Sequence, residues 1–168
     1  MTEQGAGGLL QIAEPGAARG PSVCAGRAVG IDLGTTYSLV ATVREGTPAC
    51  LLDEEGRALL PSVVHYGAGG AVDVGWQARA RSDERPLDTI ASVKRFMGRG
   101  ADDPEARRAA WIYRLSESTP GVVRFLAGGR SVTPIEVSAE ILRVLRRRAE
   151  TALGGEVDGV VITVPAYF

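Results

Sequence analysis

Histidine and cysteine are scarce: the 168 residues include one His, His65, and two Cys, Cys24 and Cys50. So small a supply argues against a zinc site built from protein ligands, which needs several such side chains at short spacing. Neither cysteine lies in a C-x-x-C pair. A disulfide framework is therefore not expected, and a reducing cytoplasm fits. Net charge is also lacking. At −1 it leaves no footprint for a nucleic-acid or membrane-surface partner. No apolar stretch reaches the roughly 20 residues of a membrane span. Met1 to Gly8 has no basic start, and Leu9 to Ile12 is too short for a signal-peptide core. The phosphate loop G-x-x-x-x-G-K-[ST] is missing as well. The basic run Arg146-Arg147-Arg148 stands beside Glu140 and Glu150 in a helical pattern and reads as a solvated helix face. What remains, 45% hydrophobic and 23% charged, is the balance of a globular protein.

Residues 1–27 are rich in Gly, Ala and Pro without sustained periodicity, and read as a flexible extension. From Ala28 the pattern is strand, turn, strand: Ala28 to Ile31, the stop Asp32-Leu33-Gly34-Thr35-Thr36, then Ser38 to Val43, with Gly34 permitting the sharp turn. Pro48 to Leu52 and Leu59 to Tyr66 are further extended segments, each followed by a turn. Helices are expected over Gly75 to Ser82, over Asp88 to Met97 with Asp88 as N-cap and Gly98 at C′, and over Glu105 to Ala110. Trp111 to Leu115 and Val122 to Leu126 read as paired strands. Trp76 and Trp111 read as packing residues, and His65 as an ordinary strand residue.

The best-marked helix is Pro134 to Leu153. Thr133-Pro134-Ile135-Glu136 forms a capping box with proline at the first position, and Gly154 ends it. Ile135, Ile141, Leu142, Leu145, Ala149 and Leu153 supply an apolar stripe. Val160 to Val164 is almost purely β-branched, the pattern of a strand buried on both faces. One long helix cannot cover both faces of such a strand, so the expectation is an incomplete domain.

The chemistry concentrates in Gly30-Ile31-Asp32-Leu33-Gly34-Thr35-Thr36-Tyr37-Ser38. A tight turn of this kind presents successive backbone N–H groups on one side, a seat for an anion such as phosphate. The hydroxyls of Thr35 and Thr36 add donors or reach a cation. Asp32 ends a strand expected to be buried, where a carboxylate is costly without a partner, and Mg²⁺ suits it, directly or through water. The bare D-x-G-T-T pattern fits equally a hairpin turn in which Asp32 accepts backbone bonds. Lys94 lies in a helical pattern whose ordinary place is a solvated face. In an ATPase cleft its ammonium would orient the attacking water and offset γ-phosphate charge.

Four ordered segments carry a family resemblance. Gly30 to Ser38 resembles the first phosphate motif of the actin, hexokinase and heat-shock chaperone superfamily. Leu60-Pro61-Ser62-Val63-Val64-His65-Tyr66, Val93-Lys94-Arg95-Phe96-Met97-Gly98-Arg99 and Val161-Ile162-Thr163-Val164-Pro165-Ala166-Tyr167-Phe168 resemble segments of the DnaK-type heat-shock chaperones, with Leu60 in place of a usual threonine. Within that family the chain is similar to the HscA branch, which serves iron–sulfur cluster assembly. Leu9 to Gly16, Ser38 to Arg44, Leu59 to Tyr66 and Asp158 to Val164 carry that finer likeness.

The resemblance implies an α/β fold of the actin-like ATPase, ribonuclease-H-like kind. It would be an incomplete first lobe over residues 28–168, with a small α+β subdomain inserted at roughly 50–131. It implies an ATP-dependent molecular chaperone whose cofactors are ATP or ADP and Mg²⁺. Gly34, Thr35, Thr36 and Tyr37 would contact the phosphates, Asp32 would hold Mg²⁺, Lys94 would be the catalytic lysine, and Pro165 would be the switch toward the client-binding domain. Tyr37 replaces a common asparagine, a change that a backbone contact would tolerate. The implied partners are a client polypeptide, here the iron–sulfur scaffold protein, and a J-domain co-chaperone. The 168-residue chain alone is expected to lack ATPase activity, since half the phosphate clamp would be missing. A sugar or glycerol kinase of the same superfold and an actin-like filament protein share the D-x-G-T-T turn, but are not expected to share the other three segments.

Overall fold

The computed structural model describes residues 26–100, 103–116 and 122–163. Pro165, Cys24, Leu9 to Gly16 and nearly all of the extension read over residues 1–27 lie outside the described residues.

The first sheet contains β1 (Ala28–Asp32), β2 (Tyr37–Arg44), β3 (Thr47–Cys50) and a short β4 (Leu60–Pro61). A second sheet is built from β5 (Val63–Tyr66), β6 (Val72–Val74) and β7 (Thr89–Ala91). Helices α1 (Trp76–Ala80) and α2 (Pro104–Ala109) are short. The hairpin β8 (Phe125–Ala127) and β9 (Arg130–Val132) leads into the long α3 (Pro134–Leu153), and β10 (Gly159–Ile162) follows. In the first sheet β1 pairs antiparallel with β2 and parallel with β10, while β2 also pairs antiparallel with β3 and β4. The second sheet runs β6-β5-β7, all antiparallel.

The capping box of α3 forms as its sequence requires. Thr133 Oγ1 accepts from the Glu136 N–H at 3.2 Å, and Glu136 Oε2 accepts from the Thr133 N–H at 2.7 Å. That second bond holds the Glu136 carboxyl below its ordinary value. Gly154 closes the helix in the left-handed region at φ +67°. The buried stripe is Val137, Ser138, Ile141, Leu145 and Ala149. It packs over β1, β2, β5 and the turn carrying Lys94. One continuous core follows, from Val29 and Val40 through Val64, Ile90 and Phe125 to Ala149. Phe96, Tyr113 and Phe125 meet edge to face in it, with centroids 5.3 to 6.5 Å apart.

Several expectations fail. Asp88 to Met97 is not one helix. Pro86–Asp88 forms a 3₁₀ turn, Thr89–Ala91 becomes β7, and Val93–Phe96 is a second 3₁₀ turn. Pairing of Thr89 and Ile90 with β5 overrides local helix signals, as sheet partners do for β-branched residues. Asp88 does not cap a helix; its Oδ1 accepts from the Gly128 N–H at 2.9 Å. Trp111 to Leu115 and Val122 to Leu126 do meet antiparallel, but over one bridge between Leu115 and Phe125. There the Ser116 N–H donates to the Arg124 carbonyl at 2.9 Å and the Leu126 N–H to the Arg114 carbonyl at 2.7 Å. The longer pairing of Phe125–Ala127 is with β9. Ile135 is 67% exposed on the first turn of α3, and Trp111 is 90% exposed and packs no core. Arg148 is no solvated residue: its side chain is 7% exposed. Its guanidinium donates to the carbonyls of Ala58 at 2.9 Å and Arg57 at 3.2 Å and stands 3.6 Å from Asp53. Burial pulls its pKa down, and Asp53 opposes that.

The strand expected to be buried on both faces also differs. Among the described residues β10 is an edge strand paired with β1 alone, and Val161 is 75% exposed. The helix α3 packs over β1 and β2, while of β10 Ile162 is partly buried against the core.

Candidate phosphate site

β1 ends at Asp32 and β2 begins at Tyr37, so Leu33 to Thr36 form the bend between two antiparallel strands. Leu33 is buried and anchors the bend to the core, while Gly34 and Thr35 are half-buried and Thr36 is exposed. Gly34 is not left-handed here; the reason for glycine is proximity. A Cβ at this position would stand 2.0 Å from the Tyr37 carbonyl oxygen, so only glycine lets the chain return this closely.

The bend is held from behind by Ser62, between β4 and β5. Ser62 Oγ donates to the Gly34 carbonyl at 2.9 Å, and the Ser62 N–H donates to the Thr36 carbonyl at 2.9 Å. Among the described residues, no group accepts a hydrogen bond from the N–H of Thr35 or Thr36. Unpaired donors on a tight turn suit an anion.

Asp32 is exposed, contrary to the buried position expected, so the desolvation argument for a required partner does not apply. It nevertheless has one: Thr163 Oγ1 donates to Asp32 Oδ1 at 2.7 Å, and the Thr163 N–H donates to the Ile31 carbonyl at 3.0 Å. The parallel pairing of β1 and β10 thus brings the D-x-G-T-T segment beside the V-I-T segment. Oδ2 of Asp32 takes no hydrogen bond from the described residues. No group of three or more His, Cys, Asp or Glu among them could hold a metal. A cation at Asp32 would therefore draw its other ligands from water and phosphate oxygens, the habit of Mg²⁺.

Lys94 sits on the Val93–Phe96 turn, half-buried between the buried Val93 and Phe96. That turn opens at Ser92, which holds an uncommon left-handed conformation, φ +56°. The Ser92 N–H donates to the Ser62 carbonyl at 3.2 Å. Ser62 therefore contacts both the bend and the segment bearing Lys94. Tyr37 directs its side chain elsewhere: its hydroxyl accepts from Arg79 Nη1 at 2.8 Å, and its ring lies 6.3 Å from that of Trp76. Arg57 stands over the Trp76 ring, 5.0 Å from its centroid. His65, buried in β5, is 2.9 Å from Thr89 Oγ1 through Nδ1, a strand residue as expected. Sequence reasoning missed the roles of Ser62, Ser92 and Thr163. Ser62 and Thr163 stood inside quoted motifs, but only pairing across the fold shows what they touch.

A bend with open amides, a carboxylate at its start and a lysine turn tied to it define a class, and comparison with known proteins supplies it. The Hsp70 protein family model matches residues 28–168, and the chain belongs to that family. This separates it from the sugar-kinase and filament-protein alternatives.

Its curated relatives narrow the match further. The chain is 56% identical over 160 residues to the "Chaperone protein HscA homolog" of Laribacter hongkongensis, covering 95% of this chain and 25% of that protein. It is 58% identical over 160 residues to the homolog of Azoarcus sp. strain BH72, with the same coverage. It is 53% identical over 160 residues to the "Chaperone protein HscA" of Edwardsiella ictaluri, covering 95% of this chain and 26% of that protein. The chain spans about a quarter of the length of these relatives. The mixed α/β sheets agree with the actin-like ATPase fold that the family implies. Among the described residues no helix is long and apolar enough to cross a membrane.

Proposed function

We propose that this chain is the phosphate-binding portion of an ATP-dependent molecular chaperone acting in iron–sulfur cluster assembly. The observation that carries the reading is the bend after Asp32, whose Thr35 and Thr36 amides face no protein acceptor among the described residues, in a chain of the Hsp70 family. Gly34, Thr35, Thr36 and Tyr37 seat the nucleotide phosphates, with Gly34 letting the backbone approach and Thr35 and Thr36 donating. Asp32 holds Mg²⁺, aligned by the Thr163 hydroxyl. When bound, Mg²⁺ supplies charge neutralisation of the phosphate oxygens. Lys94 contributes an ammonium that orients water and offsets phosphate charge.

In this reading residues 50–131 are the inserted α+β subdomain and 1–27 a flexible extension. Pro165 relays nucleotide state to a client-binding domain. ATP and ADP states grip a client polypeptide weakly and tightly in turn. The iron–sulfur scaffold protein is the client, a J-domain co-chaperone stimulates hydrolysis, and the cytoplasm is the compartment. The names of the HscA relatives support the chaperone role; the finer roles rest on the family resemblance alone.

The test uses a polypeptide of the relatives' full length that carries this chain in place of the matching quarter of the Laribacter hongkongensis protein. Lys94→Ala is expected to lower steady-state ATP hydrolysis by about a hundredfold while ADP still binds. An unchanged rate removes Lys94 from the mechanism, and a parent without ATPase activity removes the function.

A further inference from the structure

Ser62 belongs to the L-P-S-V-V segment, to which the nucleotide reading gives no task. It is buried, yet it makes four hydrogen bonds to three separate segments. Its hydroxyl donates to the Gly34 carbonyl at 2.9 Å and lies 2.9 Å from the Ser38 hydroxyl. A hydroxyl has one hydrogen. Ser62 spends it on Gly34, so Ser38 is the donor in the second contact. The Ser62 N–H goes to the Thr36 carbonyl, and its carbonyl receives the N–H of Ser92, where the Lys94 turn begins.

Peptide planarity turns these bonds into a statement about the donors. In a trans peptide the C=O of one residue and the N–H of the next point in opposite directions, and the described chain has no cis peptide. With the Gly34 carbonyl held toward Ser62, the Thr35 N–H is turned away from Ser62. With the Thr36 carbonyl held toward Ser62, the Tyr37 N–H is turned away likewise. We propose that Ser62 is the positioning residue of the phosphate seat: two of its groups fix alternate peptides so that their amides face the same side. The inference rests on the nucleotide reading, and deepens it by naming what pre-orients two of the donors, the N–H groups of Thr35 and Tyr37.

Acting through the Gly34 carbonyl, the Ser62 hydroxyl should affect phosphate binding alone, which separates positioning from general destabilisation. In the full-length polypeptide described above, Mg-ADP and adenosine are titrated calorimetrically into the parent, Ser62→Ala, Ser62→Cys and Ser38→Ala. Ser62→Ala is expected to lose roughly tenfold in ADP affinity, the scale of one hydrogen bond, with adenosine affinity unchanged. Ser62→Cys is close to serine in shape but a weak donor. It guards against a folding failure of the alanine variant and is expected to lose ADP affinity in the same way. Ser38→Ala removes a buried bond yet keeps Ser62 on Gly34, and is expected to bind ADP as the parent does. The proposal is overturned if the Ser62 variants bind ADP like the parent, if ADP and adenosine weaken together, or if Ser38→Ala loses as much as they do. A parent that binds adenosine but not ADP overturns the phosphate reading itself, a result distinct from those three.

Discussion

Gly34→Ala puts the geometry of the bend to a direct test. An added Cβ would stand 2.0 Å from the Tyr37 carbonyl oxygen and 3.2 Å from its carbon. Both are backbone atoms, so no rotamer change relieves the contact and the bend must open. Overpacking of this kind costs about 1–3 kcal/mol. The ordinary Gly-to-Ala gain from a stiffer unfolded chain, about 0.4–1 kcal/mol, offsets only part of it. For a chain of this size each kcal/mol moves Tm by roughly 2–4 °C. Gly30→Ala supplies the comparison, because a Cβ there meets nothing within 4 Å. Thermal melts monitored by circular dichroism should show Gly34→Ala lower by several degrees and Gly30→Ala level with the parent or above it. In the full-length polypeptide, Gly34→Ala should also weaken ATP binding at least tenfold, since the displaced bend no longer presents its amides. Equal melting temperatures and equal ATP affinity for the two variants would show that the tight return of the chain at Gly34 is not required.

Other outcomes follow from the packing. Leu145→Ala, at a fully buried position where α3 meets the sheets, should cost about 2–5 kcal/mol in urea unfolding; a loss below 1 kcal/mol would contradict the core described. Thr133→Ala removes the capping box of α3 and should cost about 0.5–2 kcal/mol. The Glu136 carboxyl in that box is held low by the Thr133 N–H. Its contribution is therefore complete above the ordinary glutamate value near ~4.3 and is lost as pH falls through the lower folded value. Stability measured against pH should show this acid-side loss in the parent and lack it in Glu136→Gln, which removes the titrating carboxyl. Asp88→Ala should leave helix content by circular dichroism unchanged, because Asp88 ties the β8–β9 turn and starts no helix.

Local signals were the legible part of this fold. Thr133, Pro134, Glu136 and Gly154 lie within or next to the helix they delimit, so α3 could be read almost to the residue. The β1–β2 hairpin was readable for the same reason. Segments whose fate depends on distant partners were not. Thr89 and Ile90 look helical until β5 is beside them, and the arginine at 148 looks solvated until the loop at residues 51–58 folds over it. The site divides the same way. Asp32, Gly34, Thr35 and Thr36 stand together in sequence, whereas Thr163 reaches Asp32 across 131 positions. The expected burial of Asp32 and of β10 failed because strand composition carries no information about which face the described layers cover.

Calorimetric titration of Mg-ATP into the full-length polypeptide carrying this chain, with Asp32→Asn beside it, goes straight to the seat for nucleotide oxygens. Saturable one-to-one binding by the parent, weakened in Asp32→Asn only when Mg²⁺ is present, is the expected result. Absence of saturable binding in the parent, or equal weakening with and without Mg²⁺, would contradict the roles given to the bend and its carboxylate.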